Sequence, residues 1–94
     1  MNEVKILKLI TGEEVICFAE VSEDGWNIKH PGYLIPTEKG IGISPMMPYT
    51  TIDDSNTYLK NNIVMLALDP VKGLEDQYRS IHQKIITPDR KIIS

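Results

Sequence analysis

Cysteine is nearly absent. The 94 residues contain one, Cys17, so no internal disulfide forms and the chain suits a reducing compartment. Long apolar runs are missing too. The longest spans residues 63–68, far short of the roughly 20 residues that a spanning helix needs, so no membrane partner is expected. No basic-then-apolar leader precedes the first apolar segment, and the expected location is cytoplasmic. The excess of one sign of charge is small. A net −3 offers no global attraction to nucleic acid or to an anionic membrane, and any such binding has to come from a local patch. There is also no glycine-rich phosphate loop and no Cys/His cluster at zinc spacing.

Apart from hydroxyls, the candidate nucleophiles and bases are Cys17, His30 and His82. Cys17 stands between Val15 and Ala19 on an apolar strand face, where a thiol behaves as a small hydrophobe. His30 precedes Pro31 in a strand or bulge, and His82 lies beside the apolar stripe of a helix, partly exposed. Nothing supplies the nucleophile, base and orienting group that a hydrolase uses. The chain is not expected to be an enzyme, and no cofactor or metal is implied.

What is present is a globular composition, 41% apolar and 24% charged, of a length that makes one domain over residues 1–94. Residues 3–28 organise it. They read as two strands joined at Thr11-Gly12-Glu13, followed by a turn at Asp24-Gly25 into a third. Val4, Ile6 and Ile10 fall on one face of the first strand, and Leu7 and Leu9 on the other. In the second strand Val15, Cys17, Ala19 and Val21 oppose Ile16 and Phe18. A sheet with one wet face alternates apolar with polar. Here both faces carry apolar groups, so one should meet the core and the other a helix or a second subunit.

The third strand is expected as two parts of one bent strand, 26–28 and 33–35, disturbed by Pro31-Gly32. A turn at Lys39-Gly40 leads to a fourth strand near residues 41–47. Met46, Met47 and Tyr49 are either core residues at a corner or an exposed patch facing a neighbouring subunit. Asp53, Asp54, Ser55 and Asn56 read as a loop tip rather than a metal site, since no further ligand lies at a recognisable spacing. Residues 63–68 read as a strand buried on both sides. Asp69-Pro70 suits a helix start, and Val71, Leu74, Tyr78, Ile81 and Ile85 form a stripe at spacings of three and four. Glu75 and Arg79 pair on the opposite side, Gly73 argues for a later start, and Thr87-Pro88 ends the helix. The expected order is strands over 1–68, a helix over 69–86 (its core 69–84) and a basic-apolar tail over 87–94.

The short bent strands, Gly12 in the first turn and the segment Asp24-Gly25-Trp26-Asn27-Ile28 resemble a divergent, phage-type Sm-like protein. Leu59-Lys60-Asn61-Asn62-Ile63-Val64 is similar to that family's second motif, and the likeness covers residues 3–68. It differs in lacking a first helix and the Arg-Gly pair of the second motif, Lys60 being the nearest cation. The resemblance implies a mainly β, strongly bent five-stranded barrel with a C-terminal helix, assembled as a homo-oligomeric ring of five to seven subunits. It also implies single-stranded RNA as ligand, with Asn27 on the base, Trp26 stacking beside it and Lys60 on phosphate. Packing of Trp26 in the core is the competing reading. Lys5, Lys8, Lys29 and Lys39 are further rim candidates. Strand four of one subunit would meet strand five of the next, which points to Ile41, Ile43, Met46, Met47, Ile63 and Met65 as interface residues. A scaffold that binds proteins and no nucleic acid is the alternative, favoured by the altered second motif.

Overall fold

Alternation in the first 22 residues becomes a hairpin in the computed structural model, which describes residues 3–47, 49–50 and 56–83. Strands β1 (Val4–Leu9) and β2 (Glu14–Ser22) pair antiparallel, with Ile6 opposite Ile16 and Leu7 opposite Val15. Leu9 N–H donates to Glu13 O and Gly12 N–H to Leu9 O, closing a turn in which Gly12 adopts φ +104°, a conformation natural to glycine. Strand β3 (Gly25–Thr37) follows as one long element that keeps Pro31-Gly32 inside it. Then come β4 (Gly40–Pro45), β5 (Thr57–Lys60), β6 (Val64–Leu68) and the helix α1 (Lys72–Gln83).

The sheet order is β4-β3-β2-β1-β6, every pairing antiparallel. Strand β5 pairs with Gly25–Ile28 of β3, whereas β4 pairs with Gly32–Thr37. Both lie on the side of β3 away from β2, so they occupy consecutive lengths of one sheet edge. Residues 57–60, read from sequence as loop and motif, are therefore a sixth strand. No ladder joins the β4/β5 edge to β6 among the described residues. The fold is thus mainly β, one antiparallel sheet with a C-terminal helix, and its hydrogen bonds do not close it into a barrel.

The faces divide as the alternation requires. Leu7, Leu9, Val15, Cys17, Ala19, Ile28 and Leu59 form an inner cluster, joined by the half-buried Trp26, Tyr33, Met46, Ile63, Val64 and Ala67. Val4, Ile16 and Phe18 form an outer cluster with Tyr78 of α1, so the helix covers the second face. Ile10 and Val21, assigned to these faces by period alone, stand at strand ends and are exposed.

A bulge fastens the helix. The β2–β3 register slips between Ile16 and Phe18, where His30 adopts φ +53°. Tyr78, fully buried, bonds to the backbone at this slip. Its hydroxyl accepts from Phe18 N–H at 3.2 Å and donates to His30 O at 2.6 Å. The His82 ring stacks on His30 at 4.7 Å, and Gln77 Nε2 donates to Ile41 O at 3.3 Å.

Three expectations need correction. The helix begins at Lys72, because Glu75 N–H bonds to Val71 O and Asp69 is drawn instead to Lys5 at 2.6 Å. Its buried stripe is Leu74, Tyr78 and His82. Val71 and Ile81 are exposed, and Arg79 is not on the far side but lies 5.7 Å over the Phe18 ring while pairing with Glu75. Strand β6 is not buried on both sides: among the described residues it pairs with β1 alone, and Met65, Leu66 and Leu68 are exposed. Residues 53–55 and 84–94, including Ile85 and the Thr87-Pro88 helix end, lie outside the described residues.

Candidate functional site

Cross-strand partners share a face, so the register of β3 with β5 decides which motif residues meet. Asn27 is opposite Tyr58 and Gly25 opposite Lys60, which puts Asn27, Tyr58 and Lys60 on one face at the end of the β3–β5 ribbon. Trp26 is opposite the buried Leu59 and packs against the inner cluster. The structure therefore separates two residues that the sequence placed in one site: Asn27 and Trp26 are on opposite faces. The aromatic group beside Asn27 is Tyr58. Sequence reasoning passed over it, although the alternation in Thr57-Tyr58-Leu59-Lys60 sets Tyr58 and Lys60 on one side and Leu59 on the other.

Tyr58 is held in place. Its hydroxyl donates to Asp24 Oδ1, and this bond, which stabilises the protonated phenol, pushes its pKa upward. Its ring rests against Gly25, where a Cβ atom would stand 2.9 Å from Tyr58 Cζ and 2.2 Å from Leu59 O. Asn61 N–H donates to Asp24 O at 2.9 Å, joining the β2–β3 turn to the β5–β6 turn. Lys60 is exposed, and Asn27 is half-buried opposite Glu20.

The other lysines do not gather there. Lys5 is engaged with Asp69, and that bond raises its pKa. Lys8 stands on the opposite face of β1, 3.7 Å from Glu14. Lys39 is at the β3–β4 turn, at the far end of β3, and Lys29 is half-buried two positions from Asn27.

The interface candidates split. Ile43 packs on the outer cluster, and Met46 and Ile63 on the inner one, so these three belong to the fold. Ile41 on the β4 edge, Met65 on the β6 edge and Met47 are exposed. Leu66 and Leu68 extend the apolar surface of β6, and Tyr49 is almost wholly exposed. An apolar groove of about 500 Å³ crosses the outer face between Ile41 and Leu66–Leu68.

Cys17 is fully buried, and burial pushes its thiol up to about 12. A thiol held protonated is a poor nucleophile. Its acidity sets a pH dependence. Between pH 9 and about 12 the unfolded chain releases this proton and the folded chain keeps it. The unfolded state then binds fewer protons, so stability falls as pH rises. At pH 10 stability is expected to be lower than at pH 8 by on the order of 1 kcal/mol, and Cys17→Ala should remove that part of the decline in urea midpoints. Among the described residues, no group of three or more His, Cys, Asp or Glu is placed to hold a metal ion. Among them, too, no helix is long and apolar enough to cross a membrane.

No known family model and no curated protein sequence matches the chain.

Proposed function

We propose that the chain is a non-enzymatic, Sm-like module of the phage type that assembles with copies of itself edge to edge into a ring of five to seven subunits. One observation carries this reading: among the described residues both ends of the sheet are open strand edges, and both bear exposed aliphatic side chains, Ile41 on β4 and Met65, Leu66 and Leu68 on β6. Open edges with apolar flanks are templates for pairing with another chain. Joining β4 of one subunit to β6 of the next is head to tail, and such contacts close when the rotation divides the circle. The Sm-like resemblance calls for the fourth and last barrel strands at the two edges, which is where β4 and β6 lie. The Gln77 bond to Ile41 O is exposed and long, and a neighbouring strand would displace it. Leu66→Glu puts a carboxylate on the β6 edge and is expected to shift sedimentation velocity to the monomer. An unchanged assembly would remove β6 from the interface.

Single-stranded RNA is the proposed ligand, read at the face that carries Asn27, Tyr58 and Lys60. An aromatic ring, an amide and a cation side by side suit stacking on a base, hydrogen bonding to its edge and contact with phosphate. In fluorescence-anisotropy titrations with short U-rich and A-rich RNA, Asn27→Ala should weaken the preferred sequence by about 1–2 kcal/mol. Tyr58→Ala should cost about 1–3 kcal/mol on all sequences, the scale of one stacked base. Lys60→Ala should weaken every sequence alike and lower the salt slope by about one. Unchanged affinity in all three variants would dismiss this face. The inward packing of Trp26 favours the second reading, a scaffold that binds proteins and no nucleic acid. Absence of RNA binding by the assembled wild-type protein would decide for it.

A further inference from the structure

The register that sets Asn27 opposite Tyr58 on β5 also sets it opposite Glu20 on β2. Glu20, Asn27 and Tyr58 thus form one row across three strands of the same face, and Ser22, Gly25 and Lys60 form the next. Tyr58 leans from the first row into the second. Its hydroxyl reaches Asp24 in the β2–β3 turn, and its Cζ lies where a Gly25 Cβ would be only 2.9 Å away. The ring therefore crosses β3 at a residue without a side chain, and 39% of Tyr58 stays open to solvent. It is a fixed, flat, accessible platform.

The polar groups around this platform are uncommitted. Among the described residues, the side chains of half-buried Asn27, exposed Glu20 and exposed Lys60 make no hydrogen bond or ion pair. Asn27 and Glu20 face each other across the ladder without bonding to one another. An ionised carboxylate accepts hydrogen bonds and donates none. Beside a stacking surface it selects the base edge that offers it donors. Guanine alone among the RNA bases has two adjacent donors on its pairing edge, N1–H and N2–H, one for each carboxylate oxygen. Adenine, cytosine and uracil each place an acceptor next to their donor, and that acceptor would meet the negative charge unpaired.

We propose that this face selects guanine in single-stranded RNA. The base stacks on Tyr58, Glu20 accepts from N1–H and N2–H, Asn27 donates to O6, and Lys60 meets the strand's phosphate. The inference rests on the RNA reading above and adds Glu20 as the residue that determines the base. Glu20 also acts by exclusion, since its charge repels phosphate and weakens strands that have no guanine to offset it.

Fluorescence anisotropy on the full-length chain tests this, using a short U-rich RNA with one central base varied among the four and inosine. The guanine strand is expected to bind at least about tenfold tighter than the others, the scale of one bidentate base contact. Inosine lacks the N2 amino group and should lose most of that gain. Glu20→Gln should weaken the guanine strand and strengthen the uracil strand, opposite changes that misfolding does not produce. Equal affinity for the guanine and adenine strands would overturn the proposal while leaving RNA binding in place. So would a guanine preference that survives Glu20→Gln. Guanosine monophosphate binding as tightly as the guanine strand would overturn it too, since a free nucleotide would then be the ligand. Failure of every strand to bind would remove the RNA reading itself, and this inference with it.

Discussion

Tyr78→Phe is expected to lower the unfolding free energy by about 1–3 kcal/mol, the cost of leaving buried polar groups without partners. The substitution keeps the ring, and with it the packing on Phe18 at 5.1 Å, and removes one oxygen. That oxygen is the acceptor for Phe18 N–H and the donor to His30 O, two backbone groups at the bulge. Water cannot take its place readily, because Tyr78 is fully buried. The loss should appear as a lower urea midpoint at unchanged slope, compared at equal protein concentration because any self-association would add to apparent stability. Tyr78→Ala should cost about 3–5 kcal/mol, since the ring's packing goes with the hydroxyl. A Tyr78→Phe protein as stable as wild type would mean that the bulge is satisfied some other way and that the hydroxyl does not anchor the helix.

Gly25→Ala is expected to cost at least the upper part of the range of about 1–3 kcal/mol typical of overpacking. The added Cβ would meet Leu59 O at 2.2 Å and Lys60 Cα at 2.9 Å. Both are backbone atoms, so no rotamer change relieves the contact and β5 has to move away from β3. Because β5 carries Tyr58 and Lys60, the same displacement should disturb the Asn27 face, visible as a shift of the Tyr58 resonances. Gly73→Ala is the control. No atom lies within 4 Å of its Cβ position, and it sits inside the first turn of α1, where alanine should stabilise by about 0.5–1 kcal/mol. Equal stability of the Gly25→Ala and wild-type proteins would contradict the close approach of β5.

How much of this was legible in the sequence depends on the range of the forces involved. Alternation in β1 and β2 assigned Leu7, Val15 and Cys17 to one face and Ile16 and Phe18 to the other, because period two is a local property of the strand. The same rule failed for Ile10 and Val21, since periodicity does not say where pairing stops. Pro31-Gly32 announced a disturbed β3, yet its consequence, a bulge satisfied by a hydroxyl from the helix 48 residues later in the chain, is a tertiary event. Apolar residues on both faces of β6 suggested burial. Its place at the end of the sheet order left Met65, Leu66 and Leu68 exposed, and strand order is not a local property. The resemblance singled out Asn27 and Lys60, and the register of β3 with β5 puts the two on one face. Of the two readings of Trp26, stacking beside Asn27 or packing in the core, the structure shows packing, and the deciding register with Leu59 is set by β5, a strand the polar sequence around it concealed.

Edge-to-edge self-association is the central claim, and the molar mass in solution tests it most directly. Light scattering coupled to gel filtration at micromolar concentration is expected to give a mass five to seven times the 10.6 kDa of the chain. A clean monomer mass across that concentration range would contradict the assembly and leave β4 and β6 as ordinary exposed edges.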